Sequence, residues 1–111
     1  MAMTPEGKVK AAIKKWLDSH GFWRAGAKRP DGEVVGWYYM PVSNGMGVHG
    51  IPDFPVVFRG ESVYIEAKAN SKEQPTSNQI NRMDEIRAAG GRAYVVYDAA
   101  QLEQMFDLNA V

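Results

Sequence analysis

Residues 53–68 read DFPVVFRGESVYIEAK, and this stretch decides the fold. Two runs rich in apolar and β-branched residues, Phe54–Phe58 and Ser62–Lys68, flank a break at Arg59-Gly60-Glu61. This pattern predicts two strands joined by a tight β-hairpin. A two-residue turn at Gly60-Glu61 places every apolar pair on one side of the hairpin, as a buried sheet face requires. The facing pairs are then Arg59 with Ser62, Phe58 with Val63, Val56 with Ile65, and Phe54 with Ala67.

The opposite side of this hairpin is predicted to carry Asp53, Glu66 and Lys68 together. Two neighbouring carboxylates repel each other, and a hard divalent cation relieves the repulsion while it accepts their oxygen atoms as ligands. A lysine beside such a cation can orient an attacking water or neutralise the charge that develops on a phosphate. The alternative is an ordinary ion pair of Lys68 with Asp53 or Glu66 on a solvated surface. The glycine-rich loop before Pro52-Asp53 and the cleanly apolar partner face favour a Mg²⁺ or Mn²⁺ site.

The rest of the chain predicts an α/β fold, with a mixed central β-sheet flanked by helices. Thr4 caps a first helix that runs to His20, and Gly21 ends it. Phe22 and Trp23 fit either the core or a short strand, and Ser43-Asn44-Gly45 fits a turn. A helix between the Glu66 strand and the last strand gives a parallel crossover. The remaining predicted elements are a strand over Val34–Met40, a helix over Ser77–Ala89, a strand over Ala93–Tyr97 and a final helix that Asp98 opens.

Length and composition fit one domain over residues 1–111. The chain has no cysteine, which excludes disulfides, cysteine zinc sites and thiol nucleophiles. Its 13 basic and 13 acidic side chains balance, whereas nucleic-acid-binding proteins are often strongly basic. The position of the charges must therefore decide any binding to DNA. No apolar run approaches the roughly 20 residues of a membrane span, so we expect no membrane partner. The expected location is the cytoplasm, including that of a host cell if the protein is phage-encoded.

Gly50-Ile51-Pro52-Asp53 followed by Ile65-Glu66-Ala67-Lys68 resembles the Pro-Asp…Glu-x-Lys signature of restriction-endonuclease-like nucleases, the PD-(D/E)XK superfamily. Gln79 at a helix start and Gly90-Gly91 before the last strand resemble one of its families, the virus-type replication-repair nucleases (VRR-NUC). The resemblance implies a stand-alone nuclease domain with a restriction-endonuclease-like core and αβββαβ order.

The same resemblance implies DNA hydrolysis that depends on Mg²⁺ or Mn²⁺. Asp53 and Glu66 would be metal ligands, the carbonyl of Ala67 a further ligand, and Lys68 the catalytic lysine. Stand-alone members of the family are similar to junction resolvases, which are homodimers that prefer branched, Holliday-junction-like DNA. We therefore expect a structure-specific endonuclease that works as a homodimer.

Two further residues have both a catalytic and a structural interpretation. Glu6 lies within about 50° of the centre of the apolar stripe of the first helix, at 100° per residue, and should face inward. An acidic residue on the first helix completes the metal site of similar nucleases, but Glu6 also suits the positive end of its helix. Gln79 matches the family's active-site glutamine, and Thr76-Ser77-Asn78-Gln79 also fits a capping box.

Several basic residues are candidates for contacts with DNA phosphates. His49 lies beside the predicted site and could bind phosphate or carry a proton, although a loop histidine is more often structural. Trp37, Tyr38 and Tyr39 fit sheet core or a dimer surface better than base stacking. The lysines Lys8, Lys10, Lys14 and Lys15 are predicted to be solvated. The remaining phosphate-binding candidates are Arg24, Lys28, Arg29 and Lys72.

Two other functions remain open from the sequence. The chain could be a nucleic-acid-binding module without catalysis, which predicts salt-sensitive binding and no cleavage. It could also be a sequence-specific restriction-type nuclease, although 111 residues leave little room for a recognition element. The acidic pair with Lys68 argues against the first alternative.

Overall fold

A computed structural model of the chain describes residues 3–42 and 47–108. These ranges confirm the predicted α/β class, with one sheet and flanking helices. The turn predicted at Ser43-Asn44-Gly45 lies outside the described residues. In chain order the elements are α1 (Pro5–Ser19), β1 (Phe22–Arg24), β2 (Gly36–Tyr38), β3 (Phe54–Phe58), β4 (Glu61–Ala67), α2 (Ser77–Ala88), β5 (Arg92–Val96), a 3₁₀ turn (Ala99–Gln101) and α3 (Leu102–Met105).

The strands form one mixed sheet in the order β1-β2-β3-β4-β5. β2, β3 and β4 are antiparallel neighbours, whereas β1 pairs in parallel with β2 at one edge and β5 pairs in parallel with β4 at the other. The crossover from β4 through α2 to β5 is therefore the parallel connection that the sequence predicts. β1 is the short strand that was one of the two interpretations of Phe22 and Trp23, and it adds one strand to the predicted αβββαβ order. β2 is shorter than the predicted strand over Val34–Met40.

The helix ends agree with the capping signals. The Thr4 hydroxyl accepts a hydrogen bond from the Gly7 amide, and Pro5 occupies the first turn of α1. Thr76 and Gln79 form the predicted reciprocal capping box at the start of α2. The last predicted helix begins as a 3₁₀ turn with Asp98 as its cap. No helix within the described ranges is long and apolar enough to cross a bilayer.

The hairpin of β3 and β4 differs from the predicted register by two residues. Its turn is Arg59-Gly60, and both residues have positive φ angles, 48° and 82°. A two-residue hairpin of this kind requires such angles at both turn positions, which Gly60 adopts freely. Phe58 therefore faces Glu61, and Phe54 faces Ile65. Because side chains alternate with a period of two, a two-residue shift leaves the predicted buried face intact.

The corrected register has a direct consequence for the predicted site. One step beyond the Phe54–Ile65 pair, Asp53 comes level with Glu66. The predicted register would instead have placed Asp53 opposite Lys68. The two carboxylate-bearing residues are thus immediate cross-strand neighbours, and Lys68 lies one position further along the same face.

The hydrophobic core lies on the other face of the hairpin. Side chains of β3 and β4 pack there against α1 and the C-terminal helical segment. Trp16 and Phe106 are part of an aromatic cluster, with ring centroids 5.9 Å apart. The predicted core face is confirmed, since its members are at most 7% exposed. They are Phe54, Val56, Phe58, Val63, Ile65 and Ala67.

The loop before β3 packs directly on the first turn of α2. Gly50 has a φ of 86°, and a Cβ atom there would lie 2.3–2.7 Å from backbone atoms of Asn78 and Gln79. Arg82 of α2 also donates a hydrogen bond to the carbonyl of His49, at 3.3 Å. This close packing fixes the chain that leads into Asp53 against the helix that carries Gln79.

Replacement of Gly50 by alanine tests this packing. We expect Gly50→Ala to lower the free energy of unfolding by about 2–5 kcal/mol, the sum of left-handed backbone strain and steric overlap. Gly26→Ala is the matched control, because Gly26 has a φ of 78° and nothing within 4 Å of its Cβ position. Gly26→Ala should lower the free energy of unfolding by the left-handed backbone strain alone, about 1–2 kcal/mol. If urea denaturation gives the same decrease in the free energy of unfolding for Gly50→Ala and Gly26→Ala, the Gly50 loop does not depend on contact with α2.

Candidate active site

Asp53 stands at the end of the Gly50 loop and is tied to β4 through a side-chain hydrogen bond. Its Oδ2 accepts from the backbone amide of Ala67 at 2.8 Å. Its Oδ1 lies 3.2 Å from Nζ of Lys10, a residue of α1. The Asp53 side chain remains 19% exposed. The carboxylate is therefore fixed in orientation and still reachable from solvent.

Glu66 is buried, with only 2% of its surface exposed. Its Oε1 accepts a hydrogen bond from Nε2 of Gln79 at 3.1 Å. Its Oε2 is buried and accepts no hydrogen bond from the residues that the structure describes. The nearby Asp53 carboxylate cannot donate unless one of the two groups carries a proton.

The environment of Glu66 strongly disfavours its charged form. Burial first, and then the charge and hydrogen-bonding proximity of Asp53, raise the pKa of Glu66 to about 9. Lys68 opposes this shift, since its positive charge favours the carboxylate. Without a further cation, burial and the Asp53 charge therefore favour the protonated form of Glu66, whose proton can be donated to the Asp53 carboxylate.

Lys68 directly follows β4 and is held by a backbone hydrogen bond from its amide to the carbonyl of Val96, at 2.9 Å. Its side chain is only 6% exposed. Nζ lies 3.8 Å from Oε1 of Glu6 and 3.9 Å from Oε1 of Glu73. This burial argues against the alternative of an ordinary surface ion pair, because a solvated lysine would not be enclosed in this way.

Glu6 and Gln79 both reach the cluster. Glu6 points toward the lysines, with Oε1 near Lys68 and Oε2 3.8 Å from Nζ of Lys10. Gln79 combines its two predicted interpretations: Oε1 accepts from the Thr76 amide at 2.8 Å, while Nε2 donates to Glu66. The capping box thus orients the amide that contacts the buried carboxyl group.

Lys10 corrects the prediction of a solvated helix surface. It contacts Asp53 and Glu6 with its ammonium group and is 36% exposed. Partial burial lowers the pKa of Lys10, but the carboxylates of Asp53, Glu6 and Glu66 together outweigh burial and raise this pKa above its usual value. The signal was present in the sequence, because Lys10 follows Glu6 by four residues and so shares its helix face. Glu73, beside Lys68, was also missed, and its place in a polar loop gave no periodic pattern to follow.

The residues present fit a hard divalent cation. Asp53 and Glu66 offer carboxylate oxygens, and the buried Oε2 of Glu66 lacks a partner that a cation would supply. In the described part of the chain, no three His, Cys, Asp or Glu side chains are grouped closely enough to hold a metal by themselves. Mg²⁺ often uses only one or two carboxylates together with water and phosphate, so the pair and the Ala67 carbonyl suffice as a protein ligand set.

An open cleft of about 490 Å³ borders this cluster at Asp53 and Lys10. Its walls come from the Gly50 loop and from the chain after β2. His49 is exposed and lines the cleft, as do the exposed side chains of Tyr39 and Ile51. The cleft has room for part of a substrate next to the carboxylates.

The other predicted phosphate-binding residues lie on exposed loops and strand ends. Arg24 ends β1, and Lys28 and Arg29 follow it in an exposed turn. The guanidinium of Arg29 lies over the ring of Trp23, 5.6 Å from its centroid. Lys72 is exposed in the loop after β4. Their roles in DNA binding stay predictions. Of the three neighbouring aromatic residues, Tyr38 is core, whereas Trp37 and Tyr39 are 38% and 41% exposed.

The raised pKa of Glu66 predicts a pH-dependent stability. The folded chain keeps one proton on Glu66 that the unfolded chain loses near its ordinary pKa of 4.5. The Glu66 contribution to stability therefore falls as the pH rises from about 4.5 to about 9. Glu66→Gln has no carboxyl group to titrate and should not lose this stability. With chelator present, its Tm at pH 8 should therefore exceed that of the wild type, by about 4–8 °C for each kcal/mol of unfolding free energy that the wild type has lost. The difference should shrink toward pH 5.

Thermal unfolding between pH 5 and pH 9 measures this effect. The control is Glu33→Gln, which removes an exposed carboxylate outside the cluster. It should leave the pH dependence of Tm unchanged. A wild-type curve that runs parallel to that of Glu66→Gln over this range would contradict the neutral, buried state of Glu66.

The fold of this chain is similar to that of a solved structure. No family model matches the chain, and no curated protein matches it. A solved structure described as a "VRR_NUC domain" is 21% identical, with a TM-score of 0.69. The match covers 97% of this chain and 100% of that structure. At this identity the likeness concerns the fold, and it agrees with the predicted restriction-endonuclease-like core. The chain therefore has the fold of a VRR-NUC domain.

Proposed function

We propose that this chain is a metal-dependent endonuclease that hydrolyses DNA phosphodiester bonds, with Mg²⁺ or Mn²⁺ as cofactor. One observation carries the proposal: Asp53 and Glu66 are cross-strand neighbours, and the buried ammonium group of Lys68 follows on the same face. The likeness in fold to a VRR_NUC domain supports the same reaction class. Oε2 of Glu66 is buried and accepts no hydrogen bond from the described residues, so a cation bound beside Asp53 would supply the partner that this oxygen lacks.

Each residue of the cluster has a definite task in this proposal. Asp53 and Glu66, with the Ala67 carbonyl, would hold the cation, which supplies Lewis-acid activation of the phosphate and of an attacking water. Gln79 keeps the Glu66 carboxyl group oriented through its hydrogen bond. Lys68 is placed to donate to the attacking water or to stabilise the negative charge on the phosphate. Glu6 fixes Lys68 from the side of α1 and is placed to receive a proton or to join the ligand set through water.

The substrate we propose is branched DNA, including four-way junctions. The open cleft beside Asp53 leaves this carboxylate accessible from one side. The exposed His49 on its wall and the exposed Arg24, Lys28, Arg29 and Lys72 would contact phosphates in DNA arms that leave the site. Such contacts position the substrate without reading its sequence, which suits recognition of DNA shape.

We further propose that the chain acts as a homodimer. Paired cuts on opposite strands of a junction need two active sites, and a two-fold dimer supplies them. Trp37, Tyr39 and Val57 project from the sheet face opposite the core and are 38%, 41% and 44% exposed. Trp37 pairs with Val57 across the β2–β3 ladder, and its ring centroid lies 5.5 Å from that of Tyr39. A dimer would bury this apolar patch.

Substitution of Lys68 tests the catalytic proposal. With Mg²⁺ or Mn²⁺, the wild type should cut a labelled four-way junction, and Lys68→Ala should cut it at least ~10²-fold more slowly because a charge that stabilises the transition state is lost. Lys15→Ala, which removes an exposed lysine of α1, is the control and should cut at the wild-type rate. A chelator should stop all cleavage. DNA binding without cutting under every metal condition would contradict the proposal and indicate a binding module. Cutting of one defined sequence in linear duplex would indicate a restriction-type enzyme.

The dimer is tested by molar mass in solution. Light scattering coupled to size-exclusion chromatography should give a molar mass for the wild type of twice the chain mass of 12.3 kDa. Trp37→Glu should give the mass of one chain, because a charge in the apolar patch cannot be buried without a partner. Tyr97→Glu places the same charge on another exposed aromatic residue and should remain a dimer. A wild type that is monomeric at the concentration of the cleavage assay would rule out paired cutting by a stable dimer.

A further inference from the structure

Lys10 is a second lysine in direct contact with the carboxylate cluster, and the mechanism above gives it no role. Its Nζ lies 3.2 Å from Oδ1 of Asp53. The same nitrogen lies 3.8 Å from Oε2 of Glu6, whose other oxygen faces Lys68. Glu6 therefore stands between two ammonium groups, one enclosed behind the carboxylates and one at their outer side.

The two lysines differ in how far they can move. The Lys68 side chain is 6% exposed and follows a paired strand, so its ammonium group is confined. The Lys10 side chain is 36% exposed and borders the open cleft beside Asp53. A lysine stem has four flexible carbons, and because Lys10 is partly exposed and lines the cleft, open space lies beside Asp53 for its ammonium group to enter.

Lys10 and a divalent cation would compete for the same carboxylate. The Asp53 oxygen that faces Lys10 is the one that its hydrogen bond to Ala67 leaves free. A cation bound there would also repel an ammonium group a few ångströms away. Release of Lys10 would leave its charge in the cleft, where a substrate phosphate must approach the carboxylates.

On these grounds we propose that Lys10 occupies the cation-binding side of Asp53 in the metal-free protein and becomes a substrate phosphate-binding residue once a divalent cation takes that carboxylate. The inference rests on the proposed nuclease function and adds a binding residue from α1 to it. It explains why a lysine at a helix surface contacts the carboxylate that borders the open cleft.

The first measurement is Mn²⁺ binding without DNA, by titration calorimetry. Lys10→Met keeps the apolar stem and removes the competing charge, so Mn²⁺ should bind ~5–50-fold more tightly than to the wild type, an effect of the size seen when a close ion pair is removed. Lys14→Met is a closely matched control. Lys14 lies one turn further along α1, is 39% exposed and pairs with Asp18 at 2.8 Å. The same change of net charge there should alter Mn²⁺ affinity by less than about twofold at 0.15 M salt.

The second measurement is the salt dependence of junction binding with Ca²⁺ present, a hard divalent cation that also takes carboxylate oxygens as ligands. Lys10→Met should weaken binding and reduce the slope of log affinity against log salt by about one phosphate contact. Lys10→Arg should retain the wild-type slope, because a guanidinium also binds phosphate. Circular dichroism and Tm of each variant check that the fold is retained.

The outcomes separate this inference from the proposed function. Unchanged Mn²⁺ affinity in Lys10→Met, or an unchanged salt slope, would overturn the role of Lys10 even if cleavage depends on Lys68 and metal. Tighter Mn²⁺ binding together with the smaller slope would support the inference, whatever the cleavage rate on the chosen junction. Absence of Mn²⁺ binding in both proteins would overturn the inference and the metal-dependent function together.

Discussion

The pairing of β3 with β4 holds the carboxyl groups of Asp53 and Glu66 side by side, and that of Glu66 is almost completely buried. Such a pair is unfavourable unless a positive charge, a proton or a hydrogen-bond donor accompanies it. The neighbouring groups meet this need in different ways: the Ala67 amide and Lys10 face Asp53, while Gln79 donates to Glu66. What remains is a Glu66 whose protonated form is favoured by burial and by Asp53, and whose Oε2 accepts no hydrogen bond from the described residues. A divalent cation would take the place of that proton and contact that oxygen, which is the physical reason to regard the cluster as a candidate metal site.

The fold around the pair is arranged so that neither carboxyl group can turn away. The Gly50 loop is wedged against the backbone of α2, and the first turn of α2 presents Gln79 through its capping box. On the other face of the hairpin, the aromatic and aliphatic core packs β3 and β4 against α1. Helix α1 in turn delivers Glu6 and Lys10 to the outer edge of the cluster. Three separate segments of the chain thus converge on one hairpin end, and each is secured by packing rather than by the charges themselves.

The charged side chains of the cluster also differ in their exposure to solvent. Lys68 is enclosed, Glu6 is about one-third exposed, and Lys10 opens onto the cleft. Electrostatic interactions weaken as water approaches, so solvent screens the enclosed Lys68 less than the partly exposed Lys10. A chain with no net charge can therefore still present a sharply defined local field. This gradient is consistent with one lysine that stays in the site and one that exchanges partners.

The sequence by itself determined the α/β class, the helix starts at Thr4 and Thr76, and the faces of the hairpin, because caps, turn residues and two-residue alternation are local and repeat along the chain. It also brought Asp53, Glu66 and Lys68 to one side. Only the tertiary structure decided that Asp53 lies opposite Glu66. The turn is formed by Arg59-Gly60, which shifts the register by two residues from the predicted one. A shift by an even number of residues leaves the same side chains on each face, so the alternation of apolar and polar residues cannot distinguish the two registers. The contact of Lys10 with Asp53 joins residues 43 positions apart, and the neighbourhood of Glu73 with Lys68 depends on a loop without periodicity. Such contacts follow from how α1 and the loops pack on the sheet, and local patterns carry no information about that packing.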